Sequence, residues 1–136
     1  MSDTANQNAL SQGRTFVWHE VYGPKTEDLI QFYTEALDFG TSVMPMGEMG
    51  DYHMLTRDGQ GVCGVMGTQG THMEGTPPHW STYIAVDDVD ARLTKCVELG
   101  AKVLVEAMDV PTVGRMALIQ DPFGASFWLF RGSSAE

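Results

Sequence analysis

Few side chains in this chain combine reactivity with a setting that would use it. His19 and Tyr83 sit in apolar, aromatic-rich stretches, TFVWHEVY and WSTYIAV. There an imidazole and a phenol could hydrogen-bond a carbonyl or enol, or transfer a proton. The plainer reading is that each satisfies the other, because a buried His and a buried Tyr both need partners. Trp18, Trp80 and Trp128 could stack on a planar ligand or simply fill the core. Arg115 is a scarce cation, one of 8 Lys and Arg against 18 Asp and Glu. It could hold a ligand carboxylate or phosphate, or pair with a surface carboxylate. A metal would have to draw on His19 with His53 or His79, or on Glu20 and Asp51. No HxH or HxxxE spacing brings such ligands together. Asp87, Asp88 and Asp90 suit the start of a helix, where carboxylates complement the dipole. Met44, Met46, Met49, Met54, Met66 and Met73 crowd one half of the chain. They fit either an adaptable apolar surface or a glycine-rich core that needs filling.

These residues must be positioned by a small fold. At 136 residues the chain has the size of one domain. With 43% hydrophobic and 19% charged residues it is globular in composition. The formal net charge of −10 argues against a nucleic-acid backbone or an anionic membrane as partner, since either would be repelled. No apolar run approaches the ~18 residues of a membrane span. Cys63 and Cys96 cannot build a disulfide scaffold and read as buried free thiols. The opening MSDTANQNALSQGR lacks the apolar core of a signal peptide. It reads as a disordered tail over residues 1–14, and the expected location is cytoplasmic.

The expected elements come in a repeating order. A strand fits Thr15–Tyr22, stopped by Gly23-Pro24. A helix follows over about Lys25–Asp38, with Thr26 as N-cap, Gly40 closing it, and Leu29, Ile30, Tyr33, Ala36 and Leu37 on its apolar face. Three short strands fit Thr41–Met66, with turns at Gly47–Gly50 and Asp58-Gly59. GTQGTHMEGTPP then reads as a linker. The same order returns with a strand at Trp80–Val86. A helix over Asp87–Gly100 follows, capped by Asp88 and apolar at Val89, Leu93, Cys96 and Val97. Strands near Lys102–Met108, Val113–Gln120 and Ala125–Arg131 complete it. A fixed offset of 64 residues places Leu29 on Leu93, Tyr33 on Val97, Met44 on Met108 and Leu55 on Ile119. That is the pattern of an internal duplication. The expected class is α+β: one domain over 15–131, made of two βαβββ modules at about 15–67 and 79–131. Residues 68–78 link them and 132–136 form a short tail. One module has too small a core to stand alone, so the two should pair into a curved mixed sheet with a central cleft, the usual place for a ligand.

The stretches FYTEALDFG, VDDVDA and DPFGASFWLF, with DGQGVCGVM between them, make the chain resemble the vicinal oxygen chelate superfamily. That group includes glyoxalase I, extradiol dioxygenases, and fosfomycin- and bleomycin-resistance proteins. The resemblance spans about Thr15–Arg131. It implies the glyoxalase/bleomycin-resistance/dioxygenase fold, and a homodimer, because members of this length often pair to complete two clefts. Enzymes of the group hold a divalent metal through His or Glu from the first and last strand of each half, and the metal polarises vicinal oxygens of the substrate. Carried over, those positions fall near Val17 and on Gly64, then on Ser81 and Trp128. The offset of 64 pairs Val17 with Ser81 and Gly64 with Trp128. None of the four is His, Asp or Glu, so no metal and no other cofactor is expected. In this register His19 and its mate Tyr83 both face the cleft. A shift by one would instead bring Trp18 and Glu20 inward.

The expected function is binding of a small, partly apolar molecule in the cleft without the usual metal. Trp18, Gly64, Ser81, Arg115 and Trp128 would line the ligand, with His19 and Tyr83 as the catalytic pair of any reaction. Two alternatives stay open. One is a metal-dependent enzyme of the superfamily, a glyoxalase-like lyase or isomerase or a dioxygenase, with non-standard ligands. The other is a resistance-type protein that sequesters a drug unaltered.

Overall fold

The aromatic and β-branched run FVWHEVYG forms the first strand, β1 (Phe16–Gly23), in a computed structural model of the chain that describes residues 15–133. The tail expected over 1–14 lies outside these residues, as do the last three. Helix α1 (Thr26–Leu37) follows, then β2 (Gly40–Pro45), a 3-10 turn at Gly47–Met49, β3 (Asp51–Arg57) and β4 (Gln60–Gly67). The same sequence of elements returns as β5 (His79–Ala85), α2 (Val89–Glu98), β6 (Lys102–Val110), β7 (Gly114–Gln120) and β8 (Ser126–Gly132). The class is α+β with two βαβββ modules, as expected. Gly132 still belongs to β8, and Ser133 N–H donates to Val113 O at 3.0 Å, so the expected tail begins later than residue 132.

The chain divides into two compact units. The first, Trp18–Ser81, includes the opening residues of β5. The second holds the described residues from 82 onward together with 15–17. In the first unit the strands run β2-β3-β4-β1, antiparallel except for the parallel pair β4 and β1. In the second they run β5-β8-β7-β6, with β5 and β8 the parallel pair. Each sheet buries one face against its helix. Val21, Leu55, Cys63 and Val65 pack under Leu29, Ile30, Tyr33 and Phe39 in the first. Val89, Ala117, Ile119 and Leu129 pack with Leu93 and Cys96 in the second. Burial pushes the Cys63 thiol up to about 11. Cys96 is only half-buried, and both cysteines are free. No helix among the described residues is long and apolar enough to cross a membrane.

The helix ends show where local chemistry departs from expectation. Lys25, not Thr26, holds the N-cap position of α1, and it makes no side-chain cap bond. Thr26 Oγ1 instead accepts from Gly67 N–H at 3.1 Å, tying the helix start to the end of β4. The helix closes at Asp38, in the left-handed region with φ 64°, before Gly40 is reached. Asp88 caps α2 as expected and accepts from Ala91 N–H at 3.0 Å. The expected linker is anchored at its start, where Thr68 N–H and Oγ1–H both donate to Gly23 O.

The duplication is present, but its offset is not constant. Glu20 pairs with Gly64 across β1 and β4, while Tyr83 pairs with Trp128 across β5 and β8. Trp128 lies 64 residues after Gly64, whereas Tyr83 lies only 63 after Glu20. The helices also keep 63: Ile30 and Tyr33 match Leu93 and Cys96, while Val97 is 46% exposed. The register of β6 on β7 shifts twice, which takes up the difference. In a strand, one residue of slip exchanges the two faces.

Candidate functional site

Side chains on β1 alternate between faces. Val21 joins the core under α1, so His19 shares that face and is exposed beside it. Trp18, Glu20 and Tyr22 occupy the opposite face. The expected inward placement of His19 is therefore corrected by one residue, and Glu20 is the residue turned in, at 4% exposure. Counted at an offset of 63, the first-strand partner of Ser81 is Trp18 rather than Val17.

Glu20 is the centre of a hydrogen-bond network. Tyr22 O–H donates to its Oε1, and Tyr52 O–H donates to its Oε2 at 2.6 Å. Trp18 Nε1–H donates in turn to the Tyr52 hydroxyl at 2.8 Å. A buried carboxylate is costly unless hydrogen bonds replace its water, and two phenols supply them here. Because both oxygens accept, the group is held as the anion. Burial, and next the Glu20 charge, push the Tyr52 phenol well above its ordinary value, which keeps it protonated and donating. Gly64 makes the room. A Cβ there would stand 1.8 Å from Tyr52 Oη and 3.0 Å from Glu20 Cγ.

The start of β5 adds to the same face. The His79 ring stacks on Tyr22, with centroids 4.9 Å apart and planes at 9°. His79 Nδ1 lies 2.8 Å from Pro77 O. A carbonyl can only accept, so Nδ1 carries the proton. Trp80 points the other way, edge-on to Tyr33 at 5.5 Å, and is half exposed. Ser81 returns to the His79 face, is 5% exposed, and has a hydroxyl without a hydrogen-bond partner.

In the second unit Tyr83 is a core ring. It stacks on Trp128 at 5.2 Å and 4°, and meets Phe130 edge-on at 5.9 Å. Trp128 is buried by that stack. Arg115 lies on a depression of about 260 Å³ with Val110, Pro111, Gly114 and Arg131. Its guanidinium is already held, bidentate to Asp90 at 3.0 Å and by a third contact of 3.1 Å to Asp109. These carboxylates raise its pKa further above the ordinary arginine range.

The structure thus brings Trp18 and Gly64 together with Glu20, Tyr22 and Tyr52, and sets His19 on the other face. Tyr22 and Tyr52 are the residues that reading the sequence missed. The available signal was alternation, since Trp18, Glu20 and Tyr22 stand two apart, and Gly64 marks a position that needs space.

The four positions at which the superfamily's enzymes hold a metal are Trp18, Gly64, Ser81 and Trp128, which offer two indoles, no side chain and one hydroxyl. Among the described residues no group of three or more His, Cys, Asp or Glu stands close enough to hold an ion. A first-row divalent site needs about three N, O or S ligands. These residues do not fit one.

The model of the Glyoxalase/Bleomycin resistance protein/Dioxygenase superfamily matches residues 15–129. "Putative glyoxylase CFP32" of Mycobacterium bovis is 40% identical over 104 residues, covering 76% of this chain and 40% of that protein. Anthracycline biosynthesis protein DnrV of Streptomyces peucetius is 34% identical over 131 residues, covering 88% of this chain and 47% of that protein. The chain spans less than half the length of either relative. Among solved structures, methylmalonyl-CoA epimerase from Mycobacterium tuberculosis superposes with a TM-score of 0.58 at 14% identity, covering 85% of this chain and 86% of that one. The protein BH1468 from Bacillus halodurans C-125 superposes with a TM-score of 0.63 at 12% identity, covering 89% and 96%. At these identities the likeness is one of fold.

Proposed function

We propose, since the chain belongs to the Glyoxalase/Bleomycin resistance protein/Dioxygenase superfamily, that it binds a small, partly apolar molecule on the aromatic face around Glu20, without a divalent metal, as a homodimer. One observation carries this reading. The Glu20 carboxylate, the nearest thing to a metal ligand on that face, is committed to the phenols of Tyr22 and Tyr52. The surroundings suit a planar, uncharged ligand. Trp18 and the Tyr22–His79 stack offer π surfaces, whereas the buried Glu20 anion disfavours a ligand anion. DnrV is named for anthracycline biosynthesis, and anthracyclines are planar aromatic quinones. A planar hydroxyquinone is accordingly the ligand class proposed for this chain.

Titration with a hydroxyanthraquinone, followed by quenching of tryptophan fluorescence, tests the reading. Saturable quenching is expected in the wild type. Tyr52→Phe removes the hydroxyl that orients Trp18 and should weaken binding by about tenfold. Equal binding by Tyr52→Phe and Trp18→Phe would place the ligand elsewhere. Stoichiometric uptake of zinc or nickel by the purified protein would overturn the metal-free part.

A further inference from the structure

Ser81 is the residue whose chemistry the fold leaves unused. Its hydroxyl is sealed from solvent and is the buried side-chain polar atom without a hydrogen-bond partner among the described residues. Folding strips water from that group and returns nothing, so the native state bears a cost that alanine would avoid. Such a residue is retained for something other than stability.

Its place in the fold indicates what that is. Ser81 stands two residues after His79 on β5, so both side chains share a strand face. The His79 ring stacks on Tyr22, and Tyr22 donates to Glu20. The unpaired hydroxyl therefore belongs to the same face as the tyrosine-held carboxylate. We infer that Ser81 Oγ–H is a ligand-contacting donor, and that it takes a neutral carbonyl oxygen of the bound molecule. A hydroxyl can serve a carboxylate or phosphate equally well in water. Here the Glu20 anion on the same face raises the cost of any negative ligand, and a neutral acceptor is left. This inference rests on the metal-free binding reading and deepens it by naming the group that meets the ligand's polar end.

The test uses the whole chain, Ser81→Ala, and two minimal probes, acetamide and acetate. Ser81→Ala is expected to melt about 2–5 °C above the wild type, because it deletes an unsatisfied hydroxyl. In ¹⁵N NMR titrations, acetamide should shift the Ser81 amide saturably in the wild type, and at least about threefold more weakly in Ser81→Ala. Acetate should give no saturable shift. A lowered melting temperature would show that the hydroxyl has a structural partner and would overturn the inference. Equal acetamide binding by both proteins, or acetate binding as well as acetamide, would do the same. Acetamide is not aromatic, so the two levels of the account separate. Failure of the hydroxyanthraquinone with the acetamide response intact removes the ligand class but supports Ser81.

Discussion

At the scale of single residues, Glu20 keeps its charge in a buried strand because Tyr22 and Tyr52 both donate to it. Tyr52→Phe deletes the bond to Oε2 and the acceptor used by Trp18 Nε1–H. It should lower stability by about 1–3 kcal/mol, read from the urea midpoint. A change within experimental error would show that the network bears little of the fold's stability. Alkaline pH reports on the same region. The Tyr52 phenol and the Cys63 thiol both have folded values above their ordinary 10.0 and 9.0. Below pH 9 both stay protonated whether the chain is folded or not, so their contribution is constant. Above 9 the unfolded chain releases first the thiol and then the phenol proton, which the folded chain retains. Urea midpoints should therefore be flat from pH 7 to 9 and fall from pH 9 to 11. A midpoint that rises over that interval contradicts the burial of these groups. Iodoacetamide at pH 8 should modify half-buried Cys96 well before Cys63.

Among the elements, β4 carries the constraint that opens the site. Gly64→Ala sets a methyl 1.8 Å from Tyr52 Oη, so the phenol must leave Glu20. Destabilisation of about 2 kcal/mol or more is expected. Gly61→Ala on the same strand is the control, because its nearest neighbour is the flexible Met54 thioether at 3.1 Å. Equal losses in the two variants would show that strand propensity, not the network, sets the cost. The uncapped start of α1 allows a gain: Lys25 has extended backbone angles and no cap bond, so Lys25→Ser should stabilise by about 0.5–1 kcal/mol. These elements also mark how far the sequence could be read. Turn residues, apolar spacing and the Asp88 cap located both helices and all eight strands to within a few residues. The inward face of β1 was not legible, because it depends on a single residue of register. Leu55 and Ile119 stand 64 apart and anchor a count that β1 and α1 do not share. Extending that count to the first strand turned His19 inward in place of Glu20. The bulges of β6 that break the count have no composition of their own.

For the molecule as a whole, duplication and family were visible in the chain, and the state of the metal positions followed from identities alone. What replaced them was not visible, since Tyr52 reaches Glu20 from 32 residues away and only the pairing of β3 with β4 brings it there. The relatives are more than twice as long as the part of them that this chain matches. Two copies of the chain would supply a comparable length, and sedimentation should find a dimer at micromolar concentration. A monomer at that concentration would remove the homodimer from the proposal. The central claim is that the face around Glu20 binds its ligand through aromatic and hydrogen-bonding groups without a metal. Hydroxyanthraquinone titration by tryptophan fluorescence, with and without excess EDTA, tests it most directly. The account predicts the same dissociation constant in both conditions. Binding that disappears with EDTA and returns with added zinc or nickel would contradict it.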